Sequence, residues 1–200
     1  MVKTMNNKYL NKLIECISKT EICVGNDRST KLDYTSDTTV RLIVNEFLKC
    51  RNEGKTAFFI GNGGSAAIAS HMTADYLKNG KVNTCSLYDN AVTTCIGNDY
   101  GYEYIFSKPL EFLMKRDDLL VAISSSGNSM SIVNAIKTAR EKSSRVITFT
   151  GFSENNPIRT MGDINLWVPC DEYGIVESIH NLILQQIVDE IMKNDSGEHM

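Results

Sequence analysis

Two short loops carry the residues of this 200-residue chain that could hold a small anion. Gly61, Asn62, Gly63, Gly64 and Ser65 follow an apolar run at 56–60, and Ser124, Ser125, Ser126, Gly127, Asn128 and Ser129 follow another at 119–123. Each loop leads into a stretch of helical periodicity. Glycines let backbone approach a ligand, the first N–H groups of a helix have no internal partner, and hydroxyls add donors. A single loop of this kind also serves as an ordinary helix cap and turn. Two in one chain favour a phosphorylated small molecule. The first loop has Ala66 where a dinucleotide fingerprint would place its last glycine, and no P-loop lysine follows, so a nucleotide is disfavoured.

A second group of residues could move protons. His71 and Asp75, four apart, share a helix face, a spacing suited to a metal site and equally to a surface ion pair. In the last apolar helix, Glu177 and Gln185 fall about 80° apart at ~3.6 residues per turn, so both can face one pocket. His180 lies about 140° from Gln185, which separates the two as ligands of one ion. A hydrogen-bonded structural imidazole is expected there, with a replacement base as the alternative.

These residues need a scaffold, and the hydrophobic pattern supplies one. Helical periodicity at 9–18 and 40–51 predicts two N-terminal helices with a polar joint. Short apolar strands at 56–60, 83–87, 119–123, 145–149 and 165–168 then alternate with helices at 66–77, 129–142 and 175–192. This predicts an α/β fold, doubly wound, with a mostly parallel sheet of about five strands and both loops at its carboxyl edge. Residues 1–200 read as one domain: helices over 1–54, the α/β core over 55–193, and a loose tail over 194–200.

Lysine and arginine number 21 against 24 aspartates and glutamates, so the net charge of −3 offers no attraction to nucleic acid or an anionic membrane. The 6 cysteines are irregularly spaced and read as reduced, buried thiols. With neither a secretory signal nor an apolar run long enough to span a membrane, a cytoplasmic location is expected.

The segments FFIGNGGSAAIASHMTADYL, TTCIGNDYGYEYIF and VAISSSGNS, with the final helix, together resemble the sugar isomerase (SIS) domain, and within it the phosphoheptose isomerases. The resemblance runs over about 9–192. It implies a flavodoxin-like sheet, a homotetramer with active sites shared between subunits, and interconversion of sedoheptulose 7-phosphate with a heptose 7-phosphate in heptose biosynthesis. It further implies that Asn62, Gly63 and Gly64 line the sugar, that Ser65, Ser124, Ser125, Ser126 and Ser129 hold the phosphate, and that Asn98 and Asp99 touch sugar hydroxyls.

The family's metal and proton-transfer positions fall on His71, Asp75, Glu177 and Gln185, with Asp75 in place of glutamate, Glu177 in place of glutamine and Gln185 in place of histidine. Moving a proton between C1 and C2 of an aldose/ketose pair needs a base and a polarising acid or metal. Asp75 is the expected base, with Glu177 and Gln185 as further catalytic positions. One nitrogen and three oxygen donors form a harder set than the family's zinc site; they suit manganese or loosely held zinc, or hold no metal. Two readings stand: an aldose/ketose isomerase, or a non-catalytic sugar-phosphate-binding or scaffolding relative of the type that associates with the replication initiator.

Overall fold

The computed structural model describes residues 7–25 and 30–196. Its elements are α1 (Lys8–Ser18), β1 (Glu21–Val24), β2 (Thr30–Asp33), α2 (Asp37–Asn52), β3 (Thr56–Ile60), α3 (Gly64–Lys78), β4 (Asn83–Cys85), α4 (Asn90–Asp99), α5 (Ser107–Leu113), β5 (Leu119–Ser124), α6 (Met130–Glu141), β6 (Arg145–Thr150), β7 (Ile164–Trp167) and α7 (Tyr173–Ser196). Short 3-10 turns occupy Tyr102–Tyr104 and Pro157–Thr160.

The sheet has seven described strands in the order β2-β1-β7-β6-β5-β3-β4, not about five. Its five parallel strands are those the hydrophobic pattern marks, and their order is flavodoxin-like. The two extra strands form an antiparallel hairpin within the N-terminal joint, added to the edge at β7. Both lie where the sequence predicts only a polar joint, and residues distant in the chain stabilise the pair. Arg159, fully buried, donates to Glu21 Oε2 at 2.5 Å and to the Glu154 carbonyl at 3.0 Å, and its guanidinium lies 4.1 Å from the centre of the Trp167 ring.

Alternating side chains on the central strands feed two cores. Phe59, Val121, Ile147 and Leu166 face α2, α3 and α7; Phe58, Leu120, Ala122 and Val146 face α5 and α6. Phe47, Phe59 and Tyr76 pack ring against ring, binding α2 and α3 to β3. The last helix also extends beyond its expected end: Asp195 accepts from Arg51 and Lys81 at 2.9 and 3.1 Å, so 194–196 are helical, and 197–200 lie outside the described residues. No described helix is long and apolar enough to cross a membrane.

Glu21 and Glu154 keep Lys31 as a partner when Arg159 is removed, so the loss is the buried side chain itself, its hydrogen bonds and the cavity it leaves. Arg159→Ala should therefore lower unfolding stability by about 3 kcal/mol in urea titration, as for other large buried side chains. Glu21→Gln, at a partly exposed side chain, should cost less than half as much.

Candidate functional site

Neighbouring strands β3 and β5 pair in parallel, Ile60 opposite Ala122, and the strand order reverses between them. Loops leaving such a switch point diverge to opposite faces of the sheet and open a crevice. Here it is a cavity of about 450 Å³. Asn62, Gly63, Gly64 and Ser65 line one side, Ser124, Ser125, Ser126 and Ser129 the other, and Tyr173 and Glu177 of α7 also line it. All eight loop residues expected to hold the ligand are thus brought together.

Backbone conformation explains the glycines. Gly63 has φ +56° and turns the chain into α3; Gly127 has φ +64°, and a Cβ there would collide with Asn156. Gly64 needs no unusual φ, but a Cβ would strike the Glu177 carboxylate, which packs on its bare Cα.

Among the described residues, no lysine or arginine lines the cavity. Its donors are neutral. Neither α3 nor α6 has a side-chain cap, so their first-turn N–H groups point toward the loops without a side-chain acceptor. Ser125 is buried, and its Oγ has no hydrogen-bond partner. A buried hydroxyl without a partner is costly, and an acceptor-rich ligand would satisfy it. Burial alone holds the Glu177 carboxyl above the usual carboxylate range.

Asp75, the expected base, does not line this cavity in the single chain. It accepts from Gln185 Nε2 at 2.6 Å and faces His71 Nε2 at 3.3 Å. Helices α3 and α7 lie side by side and run the same way, with Gly64 beside Glu177 and Asp75 beside Gln185. Eight residues of helix span about 12 Å, so Glu177 and Gln185 share a side of α7 but sit at opposite ends of the seam. Asn98 and Asp99 also lie off the cavity, exposed at the end of α4 and bonded to each other at 2.8 Å.

Comparison with known proteins agrees with this geometry. The SIS domain profile matches residues 26–151. The chain is 30% identical over 178 residues to the phosphoheptose isomerase of Helicobacter hepaticus, covering 86% of this chain and 90% of that protein. Against the enzyme of the same name from Aliarcobacter butzleri it is 34% identical over 148 residues, 71% of this chain and 77% of that one. The solved structure of phosphoheptose isomerase GmhA from Neisseria gonorrhoeae superposes with a TM-score of 0.76 at 30% identity, covering 92% and 95% of the two chains. The chain belongs to the SIS domain family, within its phosphoheptose isomerase branch.

Against that family the ligand set His71, Asp75, Glu177 and Gln185 requires correction. Among the described residues, no three His, Cys, Asp or Glu side chains converge on a metal position. Gln185 turns its NH₂ to Asp75, occupying a carboxylate oxygen, while Glu177 rests at the far end of the seam against Gly64. The four side chains do not fit one ion in this chain.

Sequence reasoning overlooked the residues that brace the loops. Tyr88 Oη accepts from the Gly61 N–H at 2.7 Å and donates to the Gly61 carbonyl at 2.9 Å. Tyr102 Oη donates to Asn62 Oδ1 at 2.9 Å. Tyr102 lies in the same GNDYGYEY segment as Asn98 and Asp99, which were expected to touch sugar hydroxyls and lie off the cavity.

His180 is fully buried beside Phe149, and its Nε2–H donates to the Thr150 carbonyl at 3.1 Å. That leaves Nδ1 unprotonated and without a partner. Burial pushes its pKa down to about 4, against the weaker opposing effect of the Thr150 bond. The structural role expected of it fits this placement. Because the folded-state pKa lies below the unfolded one, its contribution is fully present above about pH 6.5 and is lost as pH falls toward 4. The wild type should lose on the order of 3 kcal/mol from this group across that window. His180→Gln should remove that part of the pH dependence in denaturation curves taken from pH 7 to 4.

Proposed function

We propose that this protein interconverts sedoheptulose 7-phosphate and D-glycero-D-manno-heptose 7-phosphate through an enediol. The observation that carries the reading is the pairing, in one switch-point cavity, of an uncharged phosphate cradle with a single carboxylate, Glu177. Relatives at 30–36% identity are named phosphoheptose isomerases. A binding-only role is not favoured.

In this mechanism the serines and the starts of α3 and α6 hold the phosphoryl group, placing the carbonyl end of the sugar toward Glu177. Glu177 removes a proton from C1 of the ketose; the C1–H electron pair forms the C1–C2 double bond, and the carbonyl oxygen at C2 gains a proton. Returning a proton to C2 while the C1 hydroxyl loses its own gives the aldose. Asp75, kept in place by His71 and Gln185, supports the α3–α7 seam.

Proton NMR in deuterated water with sedoheptulose 7-phosphate should show exchange at C1 in the wild type. Glu177→Gln should abolish it while phosphosugar affinity stays within a few fold, and Ser125→Ala should weaken that affinity. The acid limb of kcat/KM should lie above the pH of an ordinary glutamate, because the base acts only when ionised and burial raises its pKa. Exchange lost in Asp75→Asn but kept in Glu177→Gln would return the base role to Asp75.

The homotetramer implied by the family is part of this proposal. Helix α4 has no buried residue, and Tyr9, Leu10 and Ile14 of α1 are exposed. Such apolar faces support burial against further copies. Sedimentation equilibrium at micromolar concentration should give four times the 22.3 kDa chain mass.

A further inference from the structure

Between the two loops runs a chain of hydrogen bonds that begins outside the cavity. Tyr102 Oη–H donates to Asn62 Oδ1 at 2.9 Å, and Asn62 Nδ2 donates to Ser129 Oγ at 2.7 Å and to Ser131 Oγ at 2.9 Å. Ser129 and Ser131 lie 3.2 Å apart, and either can donate to the other. Neither Tyr102 nor Ser131 lines the cavity. The turn bearing Tyr102 is itself fixed to α6, where Asn134 Nδ2 donates to the Glu103 carbonyl at 3.0 Å.

Ser129 occupies the N-cap position of α6, where a serine ordinarily accepts from its own helix. Here its side chain makes no cap hydrogen bond. Its oxygen is instead held by Asn62, and when Ser131 donates to it both lone pairs are filled. The hydroxyl proton is then the one group Ser129 has left to offer, and it can turn to the cavity that Ser129 lines. An ionised phosphoryl oxygen only accepts hydrogen bonds, so it selects this polarity. In the reverse polarity Ser129 would spend its proton on Ser131 and present lone pairs to an anion.

We infer that Tyr102 and Ser131 are positioning residues that, through Asn62, make Ser129 a dedicated hydrogen-bond donor to the phosphoryl group of the substrate. This rests on the phosphate cradle proposed above. It accounts for a Tyr102 hydrogen bond that burial does not require, since Tyr102 is mostly exposed, and for a buried Ser131 in the first turn of a helix it does not cap.

The test is a mutant cycle read by calorimetry with two probes, inorganic phosphate and sedoheptulose 7-phosphate. Tyr102→Phe and Ser131→Ala should each weaken both probes about fivefold, the worth of one hydrogen bond. Ser131→Thr, which keeps the hydroxyl, should restore affinity. In a Ser129→Ala background neither change should have any further effect, because the group they orient is gone. In steady-state kinetics KM should rise by more than kcat falls. Urea midpoints should match the wild type for Tyr102→Phe, whose side chain is mostly exposed. Wild-type affinity in the single variants, or a full fivefold loss that persists in the Ser129→Ala background, overturns the inference and leaves the phosphate cradle standing. Failure of the wild type to bind either probe removes the cradle itself.

Discussion

The site depends on one pairing, that of β3 with β5. Both strands are apolar on both faces, so each must lie inside a sheet covered by helices, and their parallel register sets Gly61 beside the end of β5. The helices that follow them pack on opposite faces: α3 in the core with α2 and α7, α6 in the core with α5. A crevice between diverging loops follows. Every proposed ligand contact is built on that crevice, and a shift of register by one residue would turn the loop residues away from it.

The proposed phosphate site, with no lysine or arginine among its described lining residues, is physically reasonable in such a place. Two helix starts contribute partial positive charge, and their N–H groups are fixed by the fold before the ligand arrives. Neutral donors also avoid a fixed cation that would stabilise the partly buried Glu177 as an anion. Burial then keeps that carboxylate more basic than one exposed to water. The same absence of charge makes the orientation of each hydroxyl matter, since a serine that donates and a serine that accepts differ in sign toward a phosphate.

The three departures from the family fall on a single seam between α3 and α7. Asp75 and Gln185, where the resemblance implies glutamate and histidine, make a direct amide-to-carboxylate bond that closes that end of the seam. At the other end, glutamine has become Glu177 and lies on Gly64, whose missing side chain makes the room. A carboxylate thus stands on α7 beside the sugar loop in addition to Asp75 on α3. Side by side the substitutions form one rearrangement rather than three losses.

Much of this was legible in the chain. Alternation of apolar runs and helical periods determined the five parallel strands, the two glycine loops and their common edge, because buried strands and amphipathic helices leave patterns within a few residues. Glycine at 63 and 127 and the serine runs marked the cradle for the same local reason. Tertiary structure alone decided the rest. The β1–β2 hairpin depends on Glu21 meeting Arg159, residues far apart in the chain. Whether Asp75 or Glu177 reaches the cavity depends on how two helices lie against each other, and helical spacing gives an angle about one axis but not the position along a neighbour. Tyr102, Asn62 and Ser131 meet only because three separate loops and helix ends converge at the crevice, a contact that no single segment encodes.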